Sequence, residues 1–253
     1  MPQIEVYTKF KIHDGRLEIF KHTVEQLVAL GRAAGPGLLR YDWFLDDGRG
    51  ECVAMEVHAD EAAMDAYNLD AEAGLMRLRE VSYRAVEMLM SPAAQADLVP
   101  GGGTKLFRFA AGLGAGSQAA RFSPADGRGE TKHIEIYTKF FINPGGLEAF
   151  RTAAAAMLRT VGEKDPGTAR YDWFYDAGAS ECLALDTYDD AAAMFAHMAN
   201  CHDAHARLLE NATMVTEFLG ALPEEAMAAV RKYDPYILPF FAGLKPYSQG
   251  GFG

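Results

Sequence analysis

Between residues 186 and 200 the chain carries an acid, an aromatic, an imidazole and an amide: Asp186, Tyr188, His197 and Asn200, with His202 close behind. Histidine changes charge near neutral pH, so it is the side chain best suited to taking up and returning a proton. The plain alternative for a helix histidine is a partly exposed polar residue. The same frame occurs 130 positions earlier with Glu56, His58, Tyr67, Asp70 and Glu72. There the imidazole has moved to the strand, and tyrosine stands where the second copy has His197. Other chemistry-bearing groups are weaker. His202 and His205 flank Asp203, but a metal site there lacks a third ligand and has no echo in the first copy, so no metal is expected. Cys201 next to His202 lacks the third orienting group that a nucleophile needs. Asn200 could serve only as a local cap, competing for backbone hydrogen bonds. Gly101-Gly102-Gly103 lacks the Lys-Ser/Thr of a phosphate loop.

The elements that position these groups are announced by a repeated word. Arg40-Tyr41-Asp42-Trp43-Phe44 returns as Arg170-Tyr171-Asp172-Trp173-Phe174, and the two copies hold both tryptophans of the protein. Internal duplication follows. Its alternation reads as a strand with two unlike faces, and core packing is the plain reading of a strand tryptophan. Ile134 to Phe140 answers Ile4 to Phe10, Pro166-Gly167 answers Pro36-Gly37, Glu181-Cys182 answers Glu51-Cys52, and Met194 answers Met64, all at the same offset.

Each copy spells β-α-β-β-α-β. In the first, residues 4–12 alternate with period two, and from Leu17 the period becomes helical. Leu38 to Leu45 is a strand, Asp46 to Gly50 a hairpin turn, and Cys52 to His58 the third strand. Asp60 fits the N-cap of a helix running through Met64 and Tyr67 to Arg79, and Val81 to Met90 alternates again. Glu51 and Glu181 sit at the hairpins in structural or solvated roles, and Arg40 and Arg170 suit ion pairs with a neighbouring strand or partner sheet. This is the ferredoxin-like order, of α+β class. The boundaries are a first repeat over 1–113, a Gly/Ala/Ser-rich linker over 114–132 and a second repeat over 133–253. The first tail contains a short Ala-rich helix, the Gly101–Gly103 break and then Leu106 to Phe109. Val53, Met55 and Val57 are too apolar for a wet sheet face, so the two sheets are expected to pack face to face with helices outside.

Composition narrows the partners. A net charge of −11 and a pI near 5.1 argue against nucleic acid and against an anionic membrane surface. Three cysteines are too few for a disulfide framework and suit a reducing compartment. With no basic-then-apolar leader and no long apolar run, a cytoplasmic location is expected.

The element order, the word Tyr-Asp-Trp-Phe, the His197-Met198-Ala199-Asn200 run and the ending Phe240-Phe241-Ala242-Gly243-Leu244 resemble the antibiotic biosynthesis monooxygenase family, in particular its quinol monooxygenase branch. The resemblance covers roughly residues 3–113 and 133–244. It implies a dimeric α/β barrel made within one chain, with a pocket between sheet and helices in each half. It also implies oxidation of a small aromatic phenol or quinol with O2 and no cofactor. Thr138, Tyr171, Trp173, Asp186, Tyr188, His197 and Asn200 then line the second pocket. His197 is the candidate base, Asn200 an oxygen-binding donor, and Tyr188 with Trp173 the walls. A dry pocket would raise the pKa of Asp186 or pair it with His197. Thr8, Tyr41, Trp43, Glu56, His58 and Tyr67 are the first-half counterparts, in a pocket that is either degenerate or served by His58. Two rivals remain, a non-catalytic binder of a small hydrophobic molecule and a haem-binding or haem-degrading protein using His197 or His58. The sequence leaves open whether the fused unit forms a homodimer.

Overall fold

A computed structural model describes residues 3–90, 104–113 and 133–244. The Ala-rich helix expected after Met90, the Gly101–Gly103 break and the linker expected over 114–132 lie outside the described residues. Within them the chain forms two compact units.

The first unit contains β1 (Ile4–Ile12), α1 (Leu17–Ala33), β2 (Leu38–Asp46), β3 (Glu51–His58), α2 (Glu61–Asp70), α3 (Glu72–Val81) and β4 (Ser82–Met90). The helix expected as one piece from Asp60 to Arg79 is two, broken at Ala71, and Val81 ends α3 instead of opening the strand. Asp60 caps α2 as expected, its carboxylate accepting from the Ala63 N–H at 2.9 Å. Strand order is β4-β1-β3-β2-β11, where β11 (Phe240–Ala242) comes from the far end of the chain. β11 pairs antiparallel with β2, matching Phe240 to Phe44, and Arg32 holds the following carbonyls of Gly243 and Leu244. The ending Phe240–Ala242, which the sequence marks only as part of the resemblance, is therefore an edge strand.

The second unit repeats the plan after β5 (Thr104–Gly112), with β6 (Ile134–Ile142), α4 (Leu147–Lys164), β7 (Thr168–Asp176), β8 (Glu181–Tyr188), α5 (Ala191–Asn200), α6 (His202–Leu209) and β9 (Ala212–Leu219), followed by α7 (Glu224–Val230) and β10 (Tyr236–Leu238). Its order is β10-β9-β6-β8-β7-β5. Residues 107–112 of β5 belong to this unit and pair with β7, placing Phe109 opposite Phe174. Each unit thus takes its outermost strand beside the Tyr-Asp-Trp-Phe word from the tail of the other repeat. Glycine is required at both joins, since a Cβ on Gly243 would strike the Asp42 carboxylate and one on Gly112 that of Asp172.

Cross-strand register fixes which residues face the helices. In the first unit Val6 lies opposite Glu56 and Ile4 opposite His58, while Tyr41 lies opposite Glu56 and Trp43 opposite Ala54. In the second, Ile136 lies opposite Asp186, Tyr171 opposite Asp186 and Trp173 opposite Ala184. The opposite sheet face is also buried, as its apolar residues require: Tyr7, Met55, Val57, Tyr137 and Leu185 are all but inaccessible. Arg40 and Arg170 lie on it as well, and each donates from Nε to the aspartate two residues on in the same strand, at 2.7 and 2.8 Å. Among the described residues no helix is long and apolar enough to cross a membrane.

Candidate functional site

The best-built polar cluster in the second unit begins at the end of α4. Asp165 is the C-cap of that helix; its N–H bonds the Val161 carbonyl, and Pro166 cannot continue the turn. The side chain, only 1% exposed, is held facing α5. There Ala191, Met194 and His197 form the buried stripe expected at helical spacing. His197 Nδ1 lies 3.1 Å from Asp165 Oδ2, and Asn200 Nδ2 donates to Asp165 Oδ1 at 2.5 Å. An ionised carboxylate only accepts, so the Nδ1 atom carries the hydrogen and Nε2 is the lone-pair nitrogen. Among the described residues Nε2 has no hydrogen-bond partner.

The imidazole sits between two rings, Tyr171 at 5.1 Å and Tyr188 at 5.2 Å between centroids. Burial lowers its pKa, and the Asp165 carboxylate only partly offsets this, so the ring is neutral at neutral pH. Below it on β8, burial raises Asp186 to about 7 against a weaker opposing hydrogen bond from Tyr188 and the charge of Arg170. Tyr188 donates from its hydroxyl to Asp186 Oδ2 at 3.4 Å, while Oδ1 is buried without a partner among the described residues. Of the two outcomes expected for Asp186, its burial favours the raised pKa, and the partner of His197 is Asp165. Burial also holds both tyrosines far above the usual phenol pKa, so they remain neutral hydroxyls. Cys201 lies 3.9 Å from His197 Nδ1, and its donor atom falls with those of Asp165 and His197 inside 4.8 Å. Burial pushes this thiol to about 12, so it stays protonated.

The structure therefore brings Asp186, Tyr188, Tyr171 and His197 together and turns Asn200 onto Asp165. Thr138 is engaged with Thr216, their hydroxyls 3.2 Å apart, and Trp173 stacks on Phe140 at 5.5 Å within the core. In the first unit Trp43 likewise stacks on Phe10 at 5.4 Å, and Tyr41 packs against Tyr67 at 5.3 Å. Tyr67 donates to the Leu27 carbonyl. Thr8, Glu56 and His58 instead line a cavity of about 370 Å³ between the sheet and α2–α3. His58 Nε2 lies 3.3 Å from Glu56 Oε2, and its Nδ1 is buried without a partner among the described residues. The exposed pair His202 and Asp203 and the half-buried His205 form no ligand group among the described residues.

Asp165 went unnoticed in the sequence, although the duplication marks it. The copies diverge together at three positions, Gly35 to Asp165, Tyr67 to His197 and Asp70 to Asn200. The structure shows that these three side chains form one hydrogen-bonded group in the second copy.

A family model described as antibiotic biosynthesis monooxygenase matches residues 3–72 and again 134–207. Among solved structures, the chain is similar to a candidate monooxygenase from Lactobacillus acidophilus NCFM, at 12% identity and a TM-score of 0.52, covering 85% of this chain and 92% of that one. It is also similar to one from Fusobacterium nucleatum, at 10% identity and a TM-score of 0.55, covering 85% and 90%. At such identities these likenesses concern the fold alone. No curated protein matches the sequence.

Proposed function

The chain belongs to the antibiotic biosynthesis monooxygenase family, and on that premise we propose that it oxidises a small aromatic phenol or quinol with O2, its own side chains serving in place of a cofactor. The observation that carries this reading is His197. It is a buried, neutral imidazole, fixed by Asp165 through Nδ1 and offering Nε2 as acceptor beside two aromatic rings. A phenol hydroxyl placed against Nε2 gives up its proton to the ring, and the Asp165 carboxylate stabilises the imidazolium that forms. The resulting phenolate is electron-rich enough to pass an electron to O2, and the radical pair closes to a peroxide. Loss of water then leaves a quinone, one oxygen atom of O2 entering the ring and the other leaving as water.

Asp186 supplies the second element. Kept protonated by burial up to about pH 7, it donates a hydrogen bond from its unpartnered Oδ1 to the oxygen on which negative charge develops. Asn200 acts through Asp165 and is a positioning residue.

The test is O2 uptake by the full chain with a simple hydroquinone above the uncatalysed rate. His197→Ala is expected to lower it at least about tenfold, general acid-base help being worth roughly 10² to 10⁴. Unchanged uptake in that variant overturns the assignment. Saturable binding without uptake would make the chain a carrier, and a Soret band on haem titration would make it a haem protein.

A further inference from the structure

The first-unit cavity has a rim that the duplication makes conspicuous. Arg79 on α3 and Arg84 on β4 both line it. Among the described residues neither guanidinium makes a hydrogen bond or an ion pair, although Glu56 and Glu72 line the same cavity. On a chain of net charge −11 two neighbouring cations with no partner among the described residues are unexpected. They also sit close enough to repel: after burial, the charge of Arg79 is the larger cause lowering the Arg84 pKa, and Glu56 opposes it. In the second copy the same positions are Leu209 and Met214, so the fold itself does not require cations there. Elsewhere the walls are apolar and adaptable, including Met64, Leu75 and Met88, and His58 presents a buried Nδ1 that no described residue satisfies. The volume, about 370 Å³, is within the ordinary range for a small-molecule pocket.

We propose that this cavity binds a small apolar carboxylate, its anionic group held between Arg79 and Arg84 and its body lying against Met64, Leu75 and Met88 toward His58. Arginine recognises a carboxylate through paired N–H donors, and a ligand charge set between two repelling guanidiniums relieves both. The site uses residues that the second copy lacks and stands independently of the chemistry assigned to His197.

Calorimetric titration of the full chain with benzoate, 2-naphthoate and decanoate, each paired with its uncharged amide, tests this. At least one acid is expected to bind at one site per chain and at least about tenfold more tightly than its amide. That affinity is expected to weaken as salt rises, because the rim is exposed. Arg79→Gln and Arg84→Gln, both substitutions of exposed side chains, are each expected to remove most of the acid-over-amide preference, while His197→Ala leaves it intact. The acid–amide comparison on the unaltered chain needs no variant to fold. Saturable binding by none of the three acids, equal affinity for acid and amide, or a preference that survives both arginine substitutions overturns the proposal.

Discussion

Replacing Asp186 by Asn tests the electrostatics of the second unit. In the folded protein burial raises this carboxyl from 3.8 to about 7, whereas in the unfolded chain it titrates near its ordinary value. A folded-state pKa above the unfolded one means that the native protein holds its proton more tightly. The penalty is therefore absent below about pH 4, grows as pH rises, and is complete once pH passes the folded value of about 7. Each pH unit in that window costs about 1.4 kcal/mol, so roughly three units amount to about 4 kcal/mol. Asparagine carries no such charge. Its other effects, on the Tyr188 hydrogen bond and on packing, do not vary with pH, so the slope is the diagnostic. Urea unfolding can be followed through Trp173 in a Trp43→Phe background at several pH values. The stability of Asp186→Asn relative to the parent should climb by about 2 to 3 kcal/mol between pH 5 and pH 8 and then level. A difference that stays flat across this range would mean that Asp186 is ionised in the fold at ordinary pKa, and its assignment as a neutral donor would fail with it.

Two further outcomes are expected. If turnover needs His197 neutral and Asp186 protonated, O2 uptake should rise with pH along a limb lying below 6.5 and fall again above about 7, and Asp186→Asn should lose the alkaline limb while keeping the acid one; an alkaline limb unchanged in the variant speaks against the donor role. Gly243→Ala should destabilise the first unit by about 1 to 3 kcal/mol in a thermal melt, because the new methyl meets a buried carboxylate already tied to Arg40; an unaltered melting temperature would show that the strand can shift to admit it.

The framework was legible because duplication prints it twice and the periods are clean. Strand alternation at residues 4–12, the Asp60 cap and the turn at Asp46 to Gly50 were all local signals, and local signals survive into the fold. What was not legible depended on contacts distant in sequence. The alternation over residues 4–12 marks one face of β1 for the core, yet Glu5 and Tyr7 are buried on its other face. No alternation pattern announces that Phe240 pairs with Phe44, since a three-residue strand has too few residues to show a period. The site divides in the same way. Asp186, Tyr188 and His197 were visible as a spacing, and Tyr171 as part of the repeated word. Trp43 and Trp173 carried the strongest sequence signal but went to the core, where a large ring gains most from burial. Asp165 and Arg79 with Arg84 are single polar residues at a helix end and a cavity rim. They become apparent only when the two copies are compared for what they do not share.

The exchanged strands set the order of events during synthesis. The ladder beside Phe44 has no neighbour on that side until Phe240 to Ala242, far along the chain, leave the ribosome. Until then the first unit presents a bare β edge, the feature most apt to recruit a stray strand. A gene cut between the repeats would yield two fragments, each carrying the piece the other lacks. Expressed together they should heal one another; expressed alone, each would be driven to pair with its own kind.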